Sequence, residues 1–228
     1  MTESEIRVSS EAGLELRRTY NRRFQGLETR RKRVWSVLNH HFFQRWVRPG
    51  DAVLDVGAGY CEFINSISAR KKFALDLNPA TISHADSSVT VLSQDICRPW
   101  ELPSSSIDVI FTSNFLEHLE NKKALTHCLK EAARVLRPQG RFIALGPNIR
   151  YCYREYWDYF DHHLPLSDRS LVEALELEEF KPEMVIPRFL PFTMKGSMPS
   201  HPLLVRIYLL LPLAWRFLGR QFLIVAAR

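Results

Sequence analysis

The chain has 228 residues, of which 46% are hydrophobic and 25% are charged, the proportions of a folded globular domain with a full core. Its four cysteines form no C-x-x-C pair, which argues against a zinc ribbon or a disulfide framework and favours a reducing compartment. The first 50 residues hold eleven Lys and Arg against five Asp and Glu, whereas the others hold twenty of each, so the net charge of +6 originates near the N-terminus. We interpret this excess as a solvated helix face, with an anionic partner as the alternative.

The first 50 residues are predicted to be helical. A short helix is expected over residues 11–24, where Tyr20 lies among arginines. A second helix carries apolar residues every three or four positions, and Pro49 with Gly50 ends it before the first strand. Its apolar stripe consists of Trp35, Leu38, Phe42 and Trp46.

The chain is organised around an apolar run at residues 52–56 that stops at two glycines and restarts as a helix. The run is typical of a strand buried on both faces, and Gly57 and Gly59 permit backbone angles and a close ligand approach that a side chain would block. Asp76 ends the next apolar stretch, about twenty residues further on, where the second strand of a doubly wound sheet delivers an acid to a ribose. The pattern predicts a strand-turn-helix unit that holds a ligand.

Two cofactor classes use such a turn. A nicotinamide site favours G-x-G-x-x-G, but Glu62 stands at its last position and Asp55 stands two residues before the first glycine, where an apolar residue is expected. The sequence Asp55-x-Gly57-x-Gly59 instead resembles motif I of the class I S-adenosylmethionine-dependent methyltransferases. Cys61 departs from that family, which often has glycine at this position. The resemblance implies that S-adenosylmethionine is the cofactor.

The resemblance extends from about residue 50 to residue 147 and implies further site residues. Asp76 would bind the ribose, and Asp95 would meet the adenine amino group. Asn114 would lie near the methionine end of the cofactor, and the N-terminal helices would cover the pocket, with Tyr20 and its neighbouring arginines closing over the cofactor or its acceptor. The implied cofactor-binding set is Asp55, Gly57, Ala58, Gly59, Asp76, Leu77, Asp95, Ile96 and Asn114.

Further apolar runs complete the predicted sheet. They predict a third strand at 89–92, a fourth at 107–112 and a fifth at 141–145, with a helix over 124–136 before the fifth. A sixth strand is expected at 184–190, which Pro187 would confine to an edge, and a closing antiparallel strand at 221–226.

Together with the resemblance, this order predicts an α/β fold: a Rossmann-like, doubly wound, seven-stranded and mostly parallel sheet with an antiparallel last strand and an N-terminal helical cover. We expect a single domain over 1–228. Its parts would be the cover at 1–50, a cofactor-binding core at 51–147, an acceptor lid at 148–180 and C-terminal strands and helix at 181–228.

The predicted lid carries the densest mixture of aromatic and titratable side chains, at residues 151–166. The family commonly builds its acceptor site after the fifth strand, and aromatic walls with titratable groups suit a polyol or ring substrate. A hydroxyl acceptor needs a nearby base, so we expect His162 or His163 to accept the proton, with Asp158 or Asp161 as the second choice. A lid that only packs over the site is the alternative.

His118 is the competing candidate for the base. It follows the fourth strand, although Glu117 and His118 are expected mainly to cap and orient the next helix. Methyl transfer from a sulfonium requires no metal, and none is predicted. If the lid were helical, Asp158, Asp161 and His162 would share one face and form an alternative divalent site.

The sequence therefore predicts an S-adenosylmethionine-dependent methyltransferase that acts on a hydroxyl of a small molecule, a sugar or a lipid-linked glycan. An RNA methyltransferase that uses the basic helices is one alternative, and a non-catalytic cofactor-binding scaffold is another; nucleic acid is not the favoured partner. No apolar leader opens the sequence, so a cytoplasmic location is expected. The apolar segment at 203–218 is too short to cross a bilayer and predicts a last crossover helix, with a membrane-surface helix as the alternative.

Overall fold

The computed structural model describes residues 3–192 and 201–228. Their strands form one seven-stranded sheet of order β3-β2-β1-β4-β5-β7-β6. β7 runs antiparallel to both of its neighbours, and the other pairs of adjacent strands are parallel. The predicted fold class is therefore confirmed. The strands are β1 (Ala52–Val56), β2 (Lys71–Leu75), β3 (Val89–Leu92), β4 (Ile107–Ser113), β5 (Leu136–Pro147), β6 (Lys181–Ile186) and β7 (Gln221–Ala227).

Helices cover both faces of this sheet. Those described are α1 (Glu3–Phe24), α2 (Glu28–His41), α3 (Glu62–Ser66), α4 (Ala80–His84), α5 (Lys122–Val135), α6 (Ile149–Tyr156), α7 (Asp168–Leu177), α8 (Pro202–Leu209) and α9 (Pro212–Leu218). One apolar core unites α5 and α7 with the sheet, and the other unites α2, α3 and α8 with the opposite face. No helix among the described residues is long and apolar enough to cross a membrane.

The N-terminal helices differ from their predicted bounds. The first begins well before residue 11, and the second ends at His41, ahead of a 3₁₀ turn at Phe43–Trp46. The apolar stripe thus runs from a helix into this turn. Trp35 and Leu38 lie on α2, and Phe43 takes a buried place in the same core.

The edge strand and the C-terminal helix also differ from expectation. β6 spans Lys181–Ile186 and is the outermost strand beside β7, so Pro187 lies just past its end and removes no ladder hydrogen bond. The single helix expected over 203–218 is two helices, because Pro212 opens α9 and has no N–H with which to continue α8.

β5 is longer than predicted because it contains the turn expected at residues 137–140. Its pairing with β4 passes from Ile107 opposite Leu136 to Val109 opposite Arg141, so the intervening residues form a bulge. Gln139 has a φ of 65° within this bulge. Beyond it the strand runs in register to the edge of the site.

Candidate active site

A cavity of about 390 Å³ opens where β1 and β4 end. Its floor is the turn after β1, and its walls come from α1, α2, the segment after β4, the lid and α8. Carboxyl ends of strands beside a reversal in strand order are where open α/β sheets bind ligands, and β1 lies at that reversal. The cavity therefore occupies the position at which the sequence predicts a ligand.

The turn after β1 requires glycine at two positions. Gly57 has a φ of 71° and Gly59 a φ of 51°, in the region that side chains disfavour. A Cβ on Gly57 would lie 2.3 Å from Cγ of Phe115, and one on Gly59 would lie 2.8 Å from Cε1 of Tyr20. Rings from outside the turn thus contact its backbone directly, and Tyr20 brings α1 over the end of β1.

Asp76 stabilises this turn through a hydrogen bond. One of its oxygens accepts the N–H of Gly59 and the other accepts the N–H of Asn78, both at 2.7 Å. Burial raises the pKa of Asp76, and these N–H groups oppose the shift. Asp76 and Leu77 are not among the cavity-lining residues described. The backbone oxygen of Leu77 lies against α1, 3.0 Å from where a Cβ on Gly13 would stand.

The other predicted cofactor residues divide between the cavity and its surroundings. Asn114 lines the cavity and holds a φ of 49°, with its N–H bonded to the Leu145 carbonyl at 2.8 Å. Asp95 instead accepts the N–H of Cys97 at 2.9 Å in a local turn. Ile96 is buried in the core beside Trp100, outside the cavity lining.

Buried carboxylates line the cavity beside the turn that follows β1. Asp55, on β1, is 3% exposed, and burial raises its pKa, as do the neighbouring Asp76 and Glu62. Glu62 begins α3 and pairs with Arg31 of α2. Sequence reasoning used Glu62 only to exclude a nicotinamide site and missed its place in the cavity, because the pairing with Arg31 arises from tertiary packing.

His118 stands at the opposite end of the cavity. Its Nδ1 lies 2.8 Å from the backbone oxygen of Asp161 and 3.3 Å from that residue's Oδ2. A carbonyl oxygen only accepts hydrogen bonds, so in the neutral ring the proton is on Nδ1 and Nε2 is free to accept another. Burial lowers the pKa of His118, and Asp161 opposes this shift.

An ion pair ties the lid to the N-terminal helix at the same place. Arg23 of α1 pairs with Asp161, and its guanidinium lies 4.9 Å from the centroid of the Tyr159 ring. The carbonyl of Glu117 accepts the N–H groups of His163 and Leu164 at 2.9 and 3.0 Å, which joins the lid to the segment after β4. These contacts close the cavity at the end where His118 lies.

His162 forms part of an aromatic wall. Its ring lies 4.5 Å from Tyr156 and stacks on Tyr159 at 4.9 Å. Burial lowers its pKa to about 4, so the ring is neutral at physiological pH. Its Nδ1 is buried and has no hydrogen-bond partner within the described part of the chain.

The remaining predicted bases do not meet the cavity. His163 and Asp158 are exposed, and neither is among the lining residues described. The capping role expected for Glu117 and His118 was wrong, because Asn121 caps α5 by accepting the N–H of Ala124 at 3.0 Å. Both residues instead line the cavity, with Glu117 3% exposed and its pKa raised by burial to about 8.

The alternative metal set expected from the lid is not formed. α6 ends at Tyr156, so the predicted helical face does not exist, and Asp161 is engaged by Arg23. A different group comes together, since ligand atoms of Glu117, His118 and His162 all lie within 4.8 Å of one another. Two imidazoles and a carboxylate are a donor set that divalent transition metals accept.

The structure agrees with the resemblance to the class I S-adenosylmethionine-dependent methyltransferases in its strand order, in the Asp-x-Gly-x-Gly turn at the reversal and in the buried acids beside that turn. A family model described as "Methyltransferase domain" matches residues 54–144, which cover β1 to β5. This match and the shared fold support a class I S-adenosylmethionine-dependent methyltransferase with S-adenosylmethionine as its cofactor.

Individual relatives are distant. A demethylmenaquinone methyltransferase of Symbiobacterium thermophilum is 26% identical over 174 residues, 68% of each chain. A SAM-dependent methyltransferase from Archaeoglobus fulgidus shares the fold with a TM-score of 0.64 at 19% identity, covering 87% of this chain and 94% of that one. A geranyl diphosphate C-methyltransferase from Streptomyces coelicolor, solved with Mg²⁺, geranyl diphosphate and S-adenosyl-L-homocysteine, has a TM-score of 0.59 at 15% identity, covering 84% and 76%.

The end of the cavity at the turn after β1, which we call the cofactor end, fits S-adenosylmethionine. Gly57 and Gly59 permit close approach to their backbone, as the rings of Phe115 and Tyr20 show, and the buried Asp55 offers a carboxylate to a cationic ligand. A volume of about 390 Å³ is within the usual range for small-molecule sites.

Proposed function

We propose that the protein methylates a hydroxyl group of an acceptor with an apolar body, and that His118 accepts the hydroxyl proton. The observation that carries this proposal is the bond between Nδ1 of His118 and the carbonyl of Asp161, at 2.8 Å. It leaves Nε2 unprotonated in a ring that lines the cavity. The Asp161 carboxylate, 3.3 Å away, stabilises the imidazolium that forms when the proton arrives.

The roles that we propose for the residues at the cofactor end follow from whether each residue lines the cavity. Asp55, Gly57, Ala58, Gly59 and Asn114 line the cavity, and we assign them to direct cofactor contact. When bound, the cofactor supplies a methyl group on a positively charged sulfur. Asp76, Leu77, Asp95 and Ile96, which are not among the lining residues described, are assigned to the ribose and adenine side that the cofactor would occupy.

The residues around His118 exclude water and align the acceptor. The ion pair of Arg23 with Asp161 and the cation–π contact with Tyr159 hold α1 against the lid. Burial raises the pKa of Glu117 to about 8, so at neutral pH its protonated form can donate a hydrogen bond to the acceptor. Alignment and dehydration are the main contributions that a protein can make to an in-line displacement.

The cavity walls support an acceptor that is apolar along most of its length. Phe24, Leu27, Phe192 and Leu204 line it, whereas the polar groups Glu117, His118 and His162 gather at one end. An apolar body with a single reactive hydroxyl matches this division, because a sugar without an apolar part would leave its other hydroxyls unpaired against these walls.

Transfer of labelled methyl from S-adenosylmethionine tests the proposal. Long-chain alcohols and phenols, free sugars and RNA serve as the three acceptor panels, and we expect labelling in the first. On the labelled acceptor, His118→Ala should lower turnover by roughly a hundredfold to ten-thousandfold with unchanged cofactor affinity. His163→Ala is the matched control and should retain turnover. Full turnover by the His118 variant would overturn its assignment as the base.

Transfer to carbon is the second candidate, favoured by the aromatic rings around His162 and by relatives whose names specify carbon or quinone acceptors. A carbon nucleophile also loses a proton, so the same variants would lose turnover. Nuclear magnetic resonance of the ¹³C-methylated product separates the candidates, since O-methyl and C-methyl carbons resonate in different regions.

A further inference from the structure

The last two helices present an apolar surface that the fold does not use. We call it the α8–α9 face. Eight of the fifteen large apolar side chains that are exposed among the described residues belong to it. They are Leu203, Leu204, Ile207, Leu210, Leu211, Leu213, Phe217 and Leu218. Clusters of exposed apolar side chains mark sites of interaction with a protein or a membrane.

The helices themselves are firmly attached. Nε1 of Trp215 donates to the Tyr208 carbonyl at 2.8 Å, and the Tyr208 hydroxyl donates to the Phe189 carbonyl at 2.5 Å. The Trp215 ring also packs edge-on against Phe42 and Phe189, at 5.9 and 5.0 Å. The apolar side chains therefore project from a fixed support rather than from a frayed end.

The α8–α9 face is continuous with the acceptor cavity. Leu204 and Leu218 are about half exposed at the surface, and both also line the cavity. Val205 and Tyr208 continue the lining inward from α8. An apolar molecule held at this face would thus have an apolar path to the reactive end.

The face itself carries only positive charges, of which that of Arg220 is paired with Glu155 of α6. Residues 201–220 contain Arg206, Arg216 and Arg220 and no Asp or Glu. Arg206 and Arg216 are exposed and form no ion pair with any residue that the structure describes. Arg33 of α2 lines a surface depression shared with the start of α8, so the basic N-terminal segment adjoins the face.

We infer that the α8–α9 face docks on an anionic lipid bilayer and that the acceptor is a membrane lipid whose apolar part enters past Leu204 and Leu218. Apolar side chains flanked by arginines are what interfacial helices use, and arginines near anionic headgroups strengthen binding. α8 and α9 have eight and seven residues, so they lie in the interface and do not span it. The substrate class rests on the proposed function, whereas the docking does not.

Flotation of the full-length protein with vesicles tests the docking without cofactor or acceptor. Vesicles of phosphatidylcholine with phosphatidylglycerol are compared with pure phosphatidylcholine at low and high salt. We expect binding to the anionic vesicles that weakens with salt. Leu210→Glu and Phe217→Glu should each lower the partition coefficient at least about tenfold, and Arg216→Gln should lower it about fivefold.

The matched control is Leu177→Glu, because Leu177 is 77% exposed on α7, comparable with Leu210 at 70% and Phe217 at 73%. It should float like the unaltered protein. Cofactor affinity by calorimetry checks that every variant is folded. A photoreactive phosphatidylglycerol carrying its label on the acyl chain should mark residues 203–218 and leave 168–177 unmarked.

Three outcomes would overturn the inference. The protein could fail to float with any vesicle. It could form a dimer that Leu210→Glu dissociates, which would assign the face to a second copy. The control could lose flotation as strongly as the other variants, which would place the contact elsewhere. If the protein floats as expected but no hydroxyl acceptor is ever methylated, the docking stands and the proposed function fails.

Discussion

The cofactor end of the cavity is built mainly from consecutive backbone. The opposite end, around His118, is the proposed acceptor end, and it is built from side chains that distant segments bring together. Gly57, Ala58 and Gly59 are neighbours in one turn, and Asp76 holds that turn by accepting the N–H of Gly59, while its other oxygen accepts the N–H of Asn78 after β2. Arg23, His118 and Asp161 come from α1, the segment after β4 and the lid. A turn of the first kind depends on which residues follow one another, and a cluster of the second kind depends on how the helices pack.

The comparison indicates how each end should respond to substitution. A backbone turn is damaged by any side chain that it cannot accommodate, so its losses combine stability with ligand affinity. A cluster of side chains is damaged residue by residue, and its losses concern protonation and alignment while the fold persists.

Gly59→Ala should produce the largest loss at the cofactor end. A left-handed backbone and a contact with the Tyr20 ring should together lower cofactor affinity by about 2–4 kcal/mol, roughly thirtyfold to a thousandfold. Calorimetric titration with S-adenosyl-L-homocysteine measures the change. Gly26→Ala is the control, since Gly26 has a φ of 79° and no neighbour within 4 Å of a new Cβ. Equal affinity losses in the two variants would show that strain alone matters.

Asp76→Ala should reduce the free energy of unfolding by about 1–3 kcal/mol, because it leaves the N–H groups of Gly59 and Asn78 without their acceptor. Urea unfolding without cofactor isolates this effect from ligand binding. Asp95→Ala is the comparison. Asp95 accepts the N–H of Cys97 in a partly exposed turn, so its replacement should lower the free energy of unfolding by less. The structural role assigned to Asp76 would be refuted if the Asp95 variant were the less stable of the two.

The pH dependence of kcat/KM should shift in opposite directions when the charges around His118 are removed. The pKa of His118 lies below its ordinary value of 6.5, so activity should be lost only as the pH falls below that value and the ring becomes protonated. Asp161 raises this pKa and Arg23 lowers it. Asp161→Asn should therefore move the acid limb to lower pH, and Arg23→Gln should move it to higher pH.

Shifts in the same direction would mean that the titrating group is not His118. His163→Ala provides a second check, because His163 also lowers the pKa of His118, although it lies outside the cavity lining. Its removal should move the limb slightly to higher pH.

Removal of divalent metal should have the smallest effect on turnover. If His118 acts as the base, dialysis against a chelator leaves turnover unchanged, because Nε2 must be free of metal to accept a proton. Turnover that disappears with the chelator and returns with one divalent ion would assign the Glu117, His118 and His162 group to a metal instead. Glu117→Gln would then abolish the rescue.

Sequence patterns determined the strands and the ligand turn, because each depends on residues close together in the chain, whereas the parallel arrangement of the strands was predicted from the resemblance. Buried strands appear as apolar runs, and the turn appears as two glycines after an acid. Boundaries were less exact at Pro212, where the missing N–H divides the last helix. They were also less exact at residues 137–140, where pairing with β4 makes a predicted turn part of β5 as a bulge.

Tertiary packing determined which of the candidate histidines meet the cavity. His162 and His163 are neighbours in sequence, and one lies inside an aromatic wall while the other is exposed. His118 acquires its orienting partner from a residue 43 positions away, through a contact that no local pattern encodes. The same holds for the α8–α9 face, because an apolar helix shows its exposed side only when the core beneath it is known. Local sequence specifies backbone geometry, but the chemistry of this acceptor end depends on which long-range contacts bury and orient each side chain.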